Sequence, residues 1–206
     1  MATEVEARSE APGGAPSEQG RGWWALVLGA AVAGVTFTGI QIVEKTAILT
    51  DPTTSLLCDV NSVMSCSGVL NAWQSSVLGP PNALVGAVMF SILASAGLGG
   101  VLGARPSRAY LAVLWGLAVF FLSFASWFMQ QTAFAIGYLC LWCTGIVTAV
   151  VLICAALTRL ADRAGAFGSG GFGRGVGVLV RSGTDLIVWA GWWLAIAALL
   201  VIGLST

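Results

Sequence analysis

Five apolar runs decide what this chain can fold into. They cover about residues 23–43, 82–103, 110–129, 137–158 and 185–204. Each is close to the ~20 residues that carry an α-helix across a bilayer. In hydrocarbon every backbone polar group must be satisfied within its own segment, so runs of this length are helical. Only 9% of the residues are charged, against about 25% in a soluble domain, and mean hydropathy is +0.90. The fold class is therefore all-α integral membrane, with five spans.

The flanks set boundaries and orientation. Residues 1–21 are rich in Ala, Gly, Pro, Ser and Glu and are expected to form a disordered tail. The first apolar run starts near Gly22 and is too long for the h-region of a cleavable signal peptide. If the spans alternate, Arg8, Arg21, Arg105, Arg108, Arg159, Arg163, Arg174 and Arg181 share one side, and Lys45 stands alone on the other. The positive-inside rule then places the N-terminus in the cytoplasm of a multi-pass cell-membrane protein. The connection 44–81 and the N-terminal end of the fourth span face the exterior. Trp23, Trp24, Trp127, Trp192 and Trp193 lie near run ends, as interfacial belts require. Ala30 and Gly34 allow close helix contact. The glycine-rich stretch from Gly168 to Gly175 has no preceding strand and no P-loop Lys. Residues 159–184 therefore read as a flexible cytoplasmic linker, with residues 185–206 a loosely tethered fifth span.

The chemistry rests on cysteine. The chain has five Cys and no His, which removes the commonest metal ligand and general base. Cys140 and Cys143 form a C-x-x-C at the start of the fourth run, where residues three apart share a helix face. A helix beginning near Gly137 would put Cys140 in its first turn, where the dipole and free N–H groups favour thiolate. Cys58 and Cys66 lie in the one sizeable polar stretch between runs. Taken alone they are a static loop disulfide. Beside an exterior C-x-x-C they become a pair that can exchange, since a thiolate must attack a sulfur directly. Without His, and with the loop cysteines spaced too widely, zinc is disfavoured and no metal is expected. Cys154 lies eleven residues past Cys143, about 16 Å deeper at ~1.5 Å per residue, and reads as packing. Asn82 follows Gly79-Pro80-Pro81 and is either a helix cap or a hydrogen-bond donor to a ligand carbonyl. Trp73 with Val69, Leu70, Val77 and Leu78 makes the end of the loop amphipathic and predicts a short interfacial helix.

Three motifs together carry a resemblance. They are Cys58-Asp59-Val60 running to Ser65-Cys66-Ser67, then Pro81-Asn82-Ala83-Leu84-Val85-Gly86, then Cys140-x-x-Cys143-Thr144. This set resembles the vitamin K epoxide reductase family, and its bacterial members most, over about residues 23–158. The resemblance implies that residues 22–158, with the exterior loop 44–81, form a four-helix catalytic bundle around a quinone. It implies a thiol:quinone oxidoreductase that oxidises a thioredoxin-like (DsbA-like) exported partner and reduces menaquinone, ubiquinone or vitamin K. Cys58 and Cys66 would be the shuttle pair, Cys140 and Cys143 the active-site pair, and Asn82 a quinone contact. Electrons would cross through a Cys66–Cys140 mixed disulfide, and Cys143 would deliver them to the quinone.

The sequence also departs from the pattern. Val147 stands where animal members carry a Tyr, which puts a second quinone hydrogen bond and epoxide reduction in doubt. Many bacterial members carry a fused thioredoxin-like domain after the fifth span; this chain ends at Thr206, so a separate partner is expected. Ser62 and Ser65 have no assigned role, and nucleic acid is not an expected partner. Two other readings compete. A DsbB-type generator has its C-x-x-C in the first exterior loop, the reverse of the order here. A membrane scaffold or transporter-like protein with static disulfides would be expected to show intramembrane charges or broken helices, and the spans carry almost no ionisable residues.

Overall fold

The computed structural model describes residues 18–61 and 63–205. Most of the expected tail, along with Ser62 and Thr206, lies outside them. Seven α-helices follow one another: α1 (Glu18–Thr50), α2 (Cys66–Asn71), α3 (Asn82–Val101), α4 (Arg108–Gln131), α5 (Leu141–Arg163), α6 (Gly171–Ser182) and α7 (Thr184–Ser205). A 3-10 turn at Trp73–Ser76 follows α2, and a π turn at Thr132–Ile136 ends α4. Among the described residues, five helices are long and apolar enough to cross a membrane, as the five runs require.

α1 starts earlier and ends later than its apolar run. Residues 18–21, expected in the tail, form its first turn, and the helix continues past Val43 to Thr50. That extension carries Glu44 and Lys45 beneath the loop. α1 packs mainly on α3 and α5, and α4 packs on α5. Small residues bring α1 and α3 together as expected: Gly34 lies against the Phe90 ring, and any Cβ there would overlap it. α5 is the central helix. Of its most apolar window 61% is buried, compared with 11% for α7.

The fourth connection departs from the linker reading. Its second half is the twelve-residue helix α6, with a polar face bearing Arg174 and Arg181. Phe167 and Phe172 flank the start of α6 and meet Trp115 edge-on, with centroids 5.1 and 6.1 Å from its ring. The glycines make a poor helix in water, but buried Gly173 and Gly177 let α6 lie close on the bundle end, while Phe172, Val178 and Leu179 stay exposed, as suits an amphipathic segment at the membrane boundary.

α7 is peripheral yet firmly attached, not loosely tethered. The Arg159 guanidinium donates twice to Asp185, each bond 2.7 Å. Trp192 donates to Ser126 at 3.1 Å and Trp193 to Thr148 at 2.9 Å. These bonds tie α7 to α4 and α5 at several depths.

Candidate active site

The site forms at the end of the bundle where α1 leaves the core and α5 begins. The π turn after α4 ends at Gly137, whose φ of 77° is left-handed, a conformation that favours glycine. The chain then runs extended to Cys140 instead of beginning a helix. Leu139 pairs in parallel with Met64 of the loop: the Leu139 N–H donates to the Val63 carbonyl at 2.8 Å, and Ser65 N–H donates to the Leu139 carbonyl at 3.1 Å. This pairing fixes which cysteines meet. Cys66, two residues past Met64, lies with its Sγ 3.3 Å from the Sγ of Cys140, one residue past Leu139.

Cys140 is therefore the N-cap of α5, not a residue of its first turn. Its Sγ accepts the Cys143 N–H at 3.4 Å, the bond a capping side chain makes to the third helical residue. Hydrogen bonding from the Cys143 thiol, and then from its N–H and the Gln41 amide, outweighs burial and holds the Cys140 thiol below its ordinary range. Gln41 donates 3.0 Å to Cys143 Sγ and 3.6 Å to Cys140 Sγ. Cys140 and Cys143 are free thiols, while Cys58 and Cys66 form a disulfide with Cα atoms 5.6 Å apart. All four are buried. Cys154 is free and buried further along α5, away from the other four.

The loop is organised by Asp59. One oxygen accepts from the Ser67 N–H at 3.0 Å and the Ser65 hydroxyl at 2.9 Å, and the other accepts from the Leu56 N–H at 3.1 Å. Partial burial pushes the carboxyl up, but these bonds prevail and hold it below its ordinary value of 3.8. A depressed carboxylate stabilises the folded loop above that value and loses this contribution as pH falls through its folded value. Phosphine reduction of Cys58–Cys66 should thus be slower in the parent than in Asp59→Ala above about pH 4, and the two rates should converge in stronger acid. Equal rates at neutral pH would contradict this role.

Beneath the cysteines, α1, α3, α4 and α5 enclose an apolar cleft whose empty space, with its open mouth, is about 840 Å³. Phe121, Phe124, Phe128 and Met129 wall one side, and Cys143 and Asn82 sit at the rim nearest the loop. α2 and the 3-10 turn roof it, burying Val69 and Leu70 and leaving Trp73 exposed, which is the expected interfacial segment in two pieces. Asn82 is the first residue of α3 and makes no capping bond; Pro81 holds the cap position. The Asn82 side chain donates 2.7 Å to the Gln74 carbonyl, and its Oδ1 is buried without a partner. Val147 also lines the cleft, where it offers no polar atom.

Sequence reasoning missed three groups. Gln41 and Glu44 were passed over as the end of a span, and the Met64–Leu139 pairing has no sequence signature. A signal for Gln41 existed: Thr38, Gln41 and Lys45 recur at helical spacing on one stripe, all facing the cleft. Replacing Gln41 by Leu removes the donor to both sulfurs. A hydrogen bond to a charged group is worth about 1.5–3 kcal/mol, so the thiolate form of the Cys140–Cys143 pair should be disfavoured by roughly 10- to 100-fold. Alkylation of Cys140 should require higher pH. An unchanged alkylation profile would remove Gln41 from the site.

A dithiol, a disulfide within attacking distance and an apolar cleft beside them define a membrane thiol–disulfide oxidoreductase with room for a lipid-soluble acceptor. The chain belongs to the vitamin K epoxide reductase family, whose sequence model matches residues 25–158. A search of the curated proteins finds no match. Family membership makes this a multi-pass membrane oxidoreductase of the disulfide-generating kind, in a family that generally uses quinones as electron acceptors and works with thioredoxin-like partners.

Proposed function

We propose that this protein oxidises the dithiol of a separate thioredoxin-like exported protein and passes two electrons to a membrane quinone of the menaquinone, ubiquinone or vitamin K type. The observation that carries this reading is the 3.3 Å approach of Cys66 to Cys140, the contact that direct sulfur-to-sulfur exchange needs. Cys58 and Cys66 are the shuttle pair, and Cys140 and Cys143 are the active-site pair. A partner thiolate opens the Cys58–Cys66 disulfide and leaves with its own disulfide formed. The loop dithiol then reduces a Cys140–Cys143 disulfide through a Cys66–Cys140 mixed disulfide. The active-site dithiol gives its two electrons to the quinone, which takes up two protons and leaves as hydroquinone.

Asn82 is the proposed quinone contact. Its carbonyl oxygen is without a partner at the cleft, and its amide carries a second N–H besides the one given to Gln74. One side chain can therefore donate to a quinone oxygen or accept from a hydroquinone hydroxyl. The arginines at the opposite helix ends support a cytoplasmic N-terminus in the cell membrane, with the cysteine end on the extracytoplasmic face. Both loop sulfurs are buried, so attack by a partner requires the loop to lift.

The test is quinone reduction by purified protein supplied with a reduced thioredoxin-like protein. One hydroquinone per partner disulfide is expected. No turnover, with Cys58–Cys66 inert to dithiols, would overturn the proposal in favour of static disulfides in a membrane scaffold.

A further inference from the structure

Glu44 is a buried acid that the scheme above leaves without a task. It projects from the extended end of α1 and is 6% exposed. Its Oε1 accepts the Trp142 indole N–H at 3.2 Å. The Leu57 backbone N–H faces the carboxyl, but Oε2 is buried without a hydrogen-bond partner. A carboxylate oxygen and the sulfurs of Cys58 and Cys66 lie within 4.8 Å of one another. Burying a carboxylate oxygen unpaired is costly, and packing alone gives no reason for an acid here.

The exchange chemistry supplies one. Only a thiolate attacks a disulfide, and both loop cysteines arrive as thiols when the partner leaves. We propose that Glu44 is the proton acceptor for the loop thiols, taking one proton from Cys66 and then one from Cys58 as each attacks in turn. This rests on the thiol:quinone reading above. In the first step Cys66 gives its proton to Oε2, and its sulfur bonds to Cys140 as the Cys140–Cys143 bond breaks, leaving a Cys143 thiolate. Glu44 then passes the proton to water at the mouth of the site. In the second step Cys58 gives up its proton in the same way, and its sulfur bonds to Cys66 as the Cys66–Cys140 bond breaks, leaving a Cys140 thiolate. Two electrons have moved from the loop to α5: the loop is oxidised and the α5 pair reduced. The Trp142 bond holds the carboxylate in place, and Trp142 lies between Cys140 and Cys143 in sequence, so the acid and the receiving disulfide are positioned by one helix turn.

Other ionisable groups face Glu44. They are Asp59 from the loop, Cys140 and Cys143 from α5, and the loop cysteines themselves. Lys45, next on α1, points its ammonium at the Leu70 carbonyl, 2.7 Å away. Among the described residues, Glu44 is the carboxylate that groups with both loop sulfurs.

The experiment follows fully reduced protein mixed with a water-soluble quinone. Electrons from Cys140–Cys143 leave first, and the loop disulfide forms next, read by acid quench and mass-tagging of thiols. In Glu44→Gln the first phase should be no slower than in the parent. The second should be slowed by about 100-fold near neutral pH, the lower end for loss of a proton-transfer group. That second rate should climb about tenfold per pH unit toward the ordinary thiol range near ~8.5, as the cysteines ionise unaided, while the parent changes little between about pH 6.5 and 8. Glu44→Asp keeps an acid and should keep the shallow profile at a lower rate. A second phase in Glu44→Gln that equals the parent would overturn the inference and leave the oxidoreductase standing. So would a loss that does not recover with pH, or a steep profile in Glu44→Asp, since either marks a structural role. Absence of both phases in the parent would instead remove the underlying reading.

Discussion

Quinone reduction should be lost in Cys143→Ala, by at least about 10³-fold, as for removal of a reacting nucleophile. Cys143 lines the cleft, whereas Cys140 faces the loop, so the two active-site sulfurs are not interchangeable. Without Cys143 no α5 disulfide can form, and electrons that reach Cys140 have nowhere to go. The Cys140 thiol remains within attacking distance of Cys66. The variant should therefore accumulate a Cys66–Cys140 mixed disulfide, detectable as a linked peptide pair, while external dithiols still reduce the loop. Quinone turnover that survives in this variant would reassign the terminal sulfur and with it the depth order of the relay.

The second large effect is on stability and lies at the far end of the bundle. Asp185 is 3% exposed at its side chain and Arg159 is 15% exposed. The guanidinium also lies 4.8 Å above the Trp23 ring, so one cation joins α1, α5 and α7. Removing one partner of a buried pair strands the other, at a cost of about 3–5 kcal/mol. Asp185→Ala should lower the thermal midpoint in detergent well below the parent and release α7 to protease. Replacing both residues by Leu and Met should restore much of the loss, because the stranded charge goes with its partner. An Asp185→Ala protein as stable as the parent would mean that α7 is held by its tryptophans and apolar contacts alone.

The membrane class and the five spans were legible because apolar run length is a direct physical signal. The meeting of the two cysteine pairs at one end was legible from the alternation of spans. Other features depend on long-range contacts that leave no local trace. Gly137 reads as an ordinary flank residue, yet its left-handed turn moves the start of α5 to Leu141 and makes Cys140 a cap. The glycines of 168–175 read as linker because propensity was weighed without the aromatic cluster that anchors α6. Gln41 and Glu44 were hidden by their setting: polar residues at the end of an apolar run resemble the edge of a span until the helix is seen to continue beyond it.

The Met64–Leu139 pairing has a further consequence. Side chains alternate along extended backbone, so a slip of one residue in this register turns every side chain of the segment to the opposite face. Cys66 would then leave Cys140 completely, with no intermediate setting of the loop that keeps them partly aligned. Contact between the two pairs is thus discrete: in the proposed relay, electrons would cross when the two backbone bonds are made and stop when they are broken. In the proposed relay a loop that has lifted to meet a partner is, by the same geometry, disconnected from the cleft, so external thiol and membrane acceptor would be served in turn.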